Sequence, residues 1–501
     1  MIKITNKVYK TQKNFWSNCL FHPTDAVEDP WGKRILDQMA KDKAIETVRI
    51  YTMFEDIVYM DENEELQYDF RLSDLRLDYL LEKGYDLLLA YGGMPDCISS
   101  NEYLNNNVAK NKTRYKGKMW NTSPPKDVKL WEEICYEYTK HIVERYGIER
   151  VSKWHCQCFN EPDIAAFFMR GLTGDSPRHI YEKRAIEYFA MYKAFVKGIR
   201  RVSDKILVGG PALAGHTEFL EKLLNSIKEE NIEMDFISFH CYGTSPKELN
   251  AGLKEICVEN VLEKYREKME VINRCGFGDK PILVDEWGAV SHGFFNREEC
   301  PQLMYRETEE YSAFYTRLIY DIVHSEMNIE KMIICLSGQH EMVEDFSGFN
   351  NFFTLNFIKK PIYNAYILAK KLHEEFLETE QTTENLYVLP TRNGQGEYSV
   401  LLTYASENFT ETIESVEEEI EFEEDLKGKC LTVYCIDKTT TNPYRLFQTF
   451  GVEQPNEEQI KLLREEGKLK PMLQEKYNGK IKLTLTPNCT YLITIGENYE
   501  L

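Results

Sequence analysis

Eight short apolar runs, each followed by turn residues and then a long amphipathic stretch, fill roughly the first three-quarters of the chain. They are KNFWSNCL around Phe15, TVRIYT around Val48, YDLLLAYG around Leu88, KWHCQCFN around Gln157, ILVGGP around Val208, DFISFH around Ile237, PILVDEW around Val284 and KMIICLS around Ile333. Between them, stretches such as LWEEICYEYTKHIVERYG after Lys129 and YEKRAIEYFAMYKAFVKGIRRV after Ile180 carry apolar residues at three- to four-residue spacing, the period of a helix with one buried face. Eight strands, each trailed by a helix, predict an α/β chain folded as a closed (β/α)8 TIM barrel rather than an open doubly wound sheet. No Gly-x-Gly-x-x-Gly turn follows any of these strands, which removes the main argument for a dinucleotide fold.

Past about Leu377 the helical period stops and alternating segments such as NLYVLPTR, EYSVLLTYAS, CLTVYCID and KIKLTLTPNCTYLITIG take over. This predicts a barrel over residues 13–376 and an accessory C-terminal β-sandwich of antiparallel strands over residues 377–501. In EEEIEFEED, Ile420 and Phe422 alternate with acids, as in a solvated edge strand rather than a disordered tail. PNEEQIKLLREEGKLKP interrupts the β pattern with a short helix starting near Asn456.

The net charge of −21 repels phosphate backbones and anionic headgroups, so nucleic acid and membrane surfaces are poor partners. No apolar run approaches the ~20 residues that span a bilayer. The thirteen cysteines are thinly spread and odd in number, as expected of reduced thiols in a cytoplasmic protein.

In such a barrel function collects at the C-terminal ends of the strands, where the loops form one open mouth. The fourth strand ends in Asn160-Glu161-Pro162 and the seventh in Asp285-Glu286-Trp287, so two glutamates from distant parts of the wall converge on one cavity. Paired carboxylates without a metal suit glycosidic bond cleavage, one acid protonating the leaving oxygen and the other attacking or activating water from the opposite sugar face. Singly, either is indistinguishable from a capping or surface acid among 82 Asp and Glu; their joint position is the signal. His240 ends strand six, His22 follows strand one, and Trp120 and Trp287 offer flat apolar faces on which sugars stack, or plain packing. His155, Cys156 and Cys158 are metal-capable, but Cys-x-Cys in a strand cannot close a tetrahedral site alone, and core packing is the better reading. We therefore expect no metal and no cofactor.

Asn160-Glu161-Pro162-Asp163 and Val284-Asp285-Glu286-Trp287 resemble the acid/base and nucleophile motifs of the two-glutamate TIM-barrel clan of retaining glycosidases. PPKDVKLWEEICYEYTKHIVERYG, VGGPAL, FISFHCYG and NPYRLFQTFGVEQPNEEQIKLL are similar specifically to glycoside hydrolase family 39, the β-xylosidase and α-L-iduronidase family. The resemblance implies that residues 1–12 form a strand joining the β-sandwich, that Glu161 is general acid then base, and that Glu286 is the nucleophile. It further implies that Asn160 contacts the hydroxyl next to the anomeric carbon, and that His240 and Tyr242 line the sugar subsite and hold the nucleophile. Retention requires carboxyl groups ~5–5.5 Å apart. Two departures bear on substrate: Tyr51 stands where the xylosidases carry a sugar-contacting histidine, and Glu341 is followed by Met342 where they carry paired glutamates, after an unfamiliar Ser337 to His340 run.

The resulting expectation is a hydrolase: a retaining exo-glycosidase acting on terminal bonds of short oligosaccharides in carbohydrate metabolism, β-xylosidase-like. The alternatives are a family member of other specificity (α-L-arabinofuranosidase, β-galactosidase or β-glucosidase, α-L-iduronidase) and a catalytically silent carbohydrate-binding barrel. A uronide would need a convergent cation, for which Arg297 and Arg306 are the candidates after strand seven. A metal-dependent hydrolase would have to use His22, His240 and His340. A homo-oligomer is compatible with all of these.

Overall fold

A computed structural model describes residues 1–20, 29–103, 121–337, 342–409, 411 and 413–499. His22, Trp120, His340 and Glu341 therefore lie outside the described residues.

Eight parallel strands close into a barrel in chain order: Asn18–Leu20, Thr47–Tyr51, Asp86–Tyr91, His155–Cys158, Leu207–Leu213, Phe236–Thr244, Ile282–Val290 and Ile329–Cys335. Each falls on one of the eight apolar runs, and each is followed by a helix on the outside, from Pro30–Asp42 after the first to Pro361–Ala369 after the eighth. Val128–Tyr146 illustrates why these segments are helical. Asp127 caps it by accepting from the Lys129 amide at 2.9 Å, and Trp131, Ile134, Cys135, Tyr138 and Ile142 fall on one buried face at helical spacing. Inside the barrel, Leu20, Leu88, Phe236, Leu283 and Ile333 form an apolar plug, with Tyr51 and Cys335 packed against it, and this closes the lumen beneath the mouth.

Apart from the short hairpin Val58–Met60 and Leu66–Tyr68, the strands outside the barrel form one sheet in the order Pro471–Lys476, Cys430–Ile436, Cys489–Gly496, Tyr398–Tyr404, Leu386–Arg392, Glu375–Glu380, Ile2–Thr11, Val416–Phe422 and Ile481–Leu485. Its ends share a single apolar core. Leu431 and Val433 near one end and Ile481 and Leu483 at the other belong to the same buried cluster, so the sheet curls over itself as a sandwich. Its other face packs on the barrel, where Thr316 of the helix Glu309–Val323 meets Thr403 at 2.6 Å and Thr490 at 3.3 Å.

Three details differ from the sequence reading. The sandwich is not wholly antiparallel, because the N-terminal strand Ile2–Thr11 runs parallel to Val416–Phe422 while pairing antiparallel with Glu375–Glu380. Val416–Phe422 is consequently interior to the sheet; the edge is Ile481–Leu485, whose flanking Lys480 and whose Lys482 reach Glu419 at 2.5 and 3.8 Å. The acid-rich composition reflects one solvated face opposite cations, not an edge. The short helix Glu457–Glu466 does begin at Asn456, in a capping box with Gln459, but a second helix, Pro443–Thr449, precedes it.

Candidate active site

The backbone explains how consecutive residues can all face the cavity. In a regular strand neighbours alternate faces, yet Asp285 and Glu286 both point into the barrel. A register shift against strand six between Val284 and Glu286 adds the half-turn that allows it. The same shift sends Trp287 outward. Its ring is fully buried, stacked on Tyr315 and Phe314 at 5.8 and 6.5 Å between centroids, so Trp287 is core packing and not a sugar platform. At the end of strand four, Phe159 and Glu161 take left-handed backbone conformations, φ +63° and +44°, which turn Phe159 into the helix layer and bring Asn160 and Glu161 to the mouth.

Strand two supplies a residue that sequence reasoning missed. Arg49 lies two positions before Tyr51 on the same inward face and is completely buried. Its guanidinium donates to Glu286 Oε1 at 2.8 Å, Asn160 Oδ1 at 2.7 Å, Gln157 Oε1 at 3.1 Å and the Tyr51 hydroxyl at 3.4 Å, and lies 3.1 Å from Asp285 Oδ2. Gln157 of strand four extends this network with its amide to Ser238 at 2.5 Å and Asp285 at 2.7 Å. The available signal was the alternation Thr47-Val48-Arg49-Ile50-Tyr51: a buried strand with a polar face must turn that face toward partners.

Of the expected site residues, the structure brings Glu161, Glu286, Asn160, His240, Tyr242 and Tyr51 into one cluster. Glu286 accepts from Arg49, from the Tyr242 hydroxyl at 2.8 Å and from the Tyr51 hydroxyl at 3.2 Å. Tyr242 fits because its cross-strand neighbour is Gly288; a Cβ there would stand 3.2 Å from the tyrosine ring. His240 does not sit primarily on Glu286 as the family resemblance implies. Its Nδ1 contacts Glu161 Oε1 at 2.7 Å, with Glu286 Oε2 at 3.6 Å.

Glu161, His240 and Glu286 place one side-chain ligand atom each within 4.8 Å of one another, so one oxygen of each carboxyl group approaches the other closely, as a retaining pair requires. The same three groups are the one set among the described residues close enough to share a metal ion. Glu286 already receives a guanidinium and two hydroxyls, an environment suited to a free carboxylate held by hydrogen bonds.

Burial raises the Glu161 pKa above its ordinary 4.5, the charges of Glu286 and Asp163 push the same way, and His240 opposes them. Burial works against a charged His240, but Glu286, Asp285 and the contacts to Asp285 and Glu161 outweigh it and raise the imidazole to about 10. Asp285 is buried too, yet Arg49 and His240 hold its carboxyl below the usual range. A general acid works only while protonated, so kcat/KM for substrates with poor leaving groups should fall as pH rises through a value above 4.5. A pH–rate profile of Glu161→Gln, which cannot lose that proton, should lack this limb; an unchanged limb assigns it elsewhere.

The arginines considered for a uronate are engaged. Arg306 is buried and donates to the carbonyls of Phe295, Gly348 and Val290, and Arg297 pairs with Glu344 at 2.6 Å. His155 is buried and meets Glu330 at 2.9 Å, Cys156 and Cys158 are wholly buried, and the thirteen cysteines are all free thiols.

Comparison with known proteins agrees with this geometry. The family described as Glycosyl hydrolases family 39 matches residues 1–479. A β-xylosidase of Caldicellulosiruptor saccharolyticus is 25% identical over 479 residues, 91% of this chain and 89% of the relative. The fold is similar to a monomeric β-xylosidase from Caulobacter crescentus CB15 (TM-score 0.80, 17% identity, 99% of both chains) and to a bacterial orthologue of human α-L-iduronidase (TM-score 0.76, 15% identity, 100% of this chain and 84% of that one).

Proposed function

The chain belongs to glycosyl hydrolase family 39 and is a glycoside hydrolase; from that premise we propose that it is a retaining exo-glycosidase cleaving terminal bonds of short oligosaccharides, with β-xylosides as its first substrates. The observation that carries the mechanism is the close Glu161–Glu286 pair, in which the two carboxyls stand in opposite environments. Glu286, with a guanidinium and two hydroxyls on its oxygens, suits a nucleophile that attacks the anomeric carbon as an anion. Glu161, half-buried at the mouth and raised, suits the acid that protonates the leaving oxygen. With Oε1 turned to His240, its Oε2 is the oxygen placed to carry that proton. Once the leaving group departs, the ionised Glu161 takes a proton from water, which attacks the glycosyl–Glu286 ester and returns the sugar with its configuration kept. Arg49 occupies Asn160 Oδ1, leaving the amide NH2 to donate to the sugar hydroxyl beside the anomeric centre.

The β-xyloside preference rests on the relative that matches nearly the whole chain, and the engagement of Arg297 and Arg306 weighs against a uronide. A panel of aryl xyloside, arabinofuranoside, arabinopyranoside, galactoside, glucoside and iduronide tests it. We expect the highest kcat/KM on β-xyloside. A dominant iduronide activity would overturn the sugar assignment, and no turnover on any member would favour the silent binding barrel.

A further inference from the structure

Asp163, the last residue of the Asn160-Glu161-Pro162-Asp163 motif, has no part in the mechanism above, yet it is fully buried. Its carboxylate accepts three consecutive backbone amides of the loop after strand five, Ala214 through Oδ1 and Gly215 and His216 through Oδ2, each at 2.9 Å. Its own carbonyl accepts from the buried Arg184 guanidinium at 3.2 Å, which also donates to the Phe168 carbonyl at 3.1 Å. Between these anchors lies backbone that side-chain-bearing residues disfavour. Phe159, Glu161 and Ala212 all sit in the left-handed region, and the Glu161 amide donates to the Ala212 carbonyl at 3.0 Å. Such a conformation persists only where its surroundings over-determine it, and Asp163 closes the connection between the two loops that contain it.

We propose that Asp163 is a positioning residue for the general acid: by clamping the loop after strand five through three amides, it holds Glu161 in the left-handed conformation that aims its carboxyl between His240 and the leaving oxygen. The inference rests on Glu161 being the acid/base. An asparagine in its place keeps the shape but presents an NH2 where an oxygen received an amide, so one arm of the clamp becomes repulsive.

The test compares wild type, Asp163→Asn and Glu161→Ala on two aryl glycosides of the best-cleaved sugar, a 2,4-dinitrophenyl glycoside that needs little protonation and an unactivated phenyl glycoside that needs it fully. A small displacement of a catalytic group is expected to lower kcat/KM of the phenyl glycoside by about 10- to 100-fold in Asp163→Asn, with kcat/KM of the dinitrophenyl glycoside, whose first step needs no proton, within about threefold of wild type. Equal losses on both substrates, or none, would show that Asp163 only supports the fold and would overturn the proposal. Glu161→Ala separates the two readings: if it shows the leaving-group signature and faster turnover with azide while Asp163→Asn does not, the clamp fails and the acid assignment stands; if it shows neither, the acid assignment itself fails. Circular dichroism melting reports folding, and Asp163→Ser answers the same question where Asp163→Asn does not fold.

Discussion

Glu286→Gly is expected to reduce turnover by a factor on the order of 10⁶, the scale seen when a covalent nucleophile is removed, and to recover part of it in azide. The reason lies in what surrounds the carboxylate. Arg49 and Tyr242 at 2.8 Å and Tyr51 at 3.2 Å fix both oxygens, so no other carboxylate can take the position without breaking those bonds. Of the neighbouring acids among the described residues, Glu161 is turned to His240 and Asp285 to Arg49 and Gln157. Deleting the side chain opens a space beside the anomeric carbon that azide can enter, and the product should be a glycosyl azide of inverted configuration, because one displacement then replaces two. A variant that keeps its activity, or azide that has no effect, removes Glu286 from the mechanism. Azide product of retained configuration would mean that Glu286 is the acid/base and that the nucleophile is still in place.

Arg49→Met should damage stability as well as rate. Arg49 is wholly buried and compensates Asp285 and Glu286 together, and removing one partner of a buried ion pair costs about 3–5 kcal/mol because the other charge is left stranded. It also orients Asn160 and the nucleophile, a preorganised role whose loss lowers kcat by roughly 10²–10³-fold. Arg49→Lys should rescue neither property, since one ammonium cannot reach Gln157, Asn160, Asp285 and Glu286 from a single position as a planar fork does. Urea denaturation and steady-state kinetics of both variants check this. A lysine variant indistinguishable from wild type would mean that the network is dispensable.

Most of the barrel was legible because its strands are buried on both faces and read as continuous apolar runs, while the helices repeat a second, different period. Glu161 and Glu286 were legible because strand ends map directly onto the mouth. Arg49, Gln157 and Ser238 were not, since their roles are set by partners far along the chain, Arg49 and Glu286 being 237 residues apart. Trp287 stayed open between sugar platform and packing for a local reason: the register shift at Val284 reverses the expected alternation, so the residue after the nucleophile faces the helices. Val416–Phe422 was read as an edge because its neighbour in the sheet is the N-terminal strand, a parallel pairing that no local pattern announces.

The central claim is double displacement between Glu161 and Glu286, and the anomeric configuration of the first-formed sugar tests it most directly. Hydrolysis of the best aryl glycoside, followed by proton NMR faster than mutarotation, should show product of the same configuration as the substrate. Initial release of the inverted anomer would contradict a glycosyl–Glu286 intermediate and with it the mechanism.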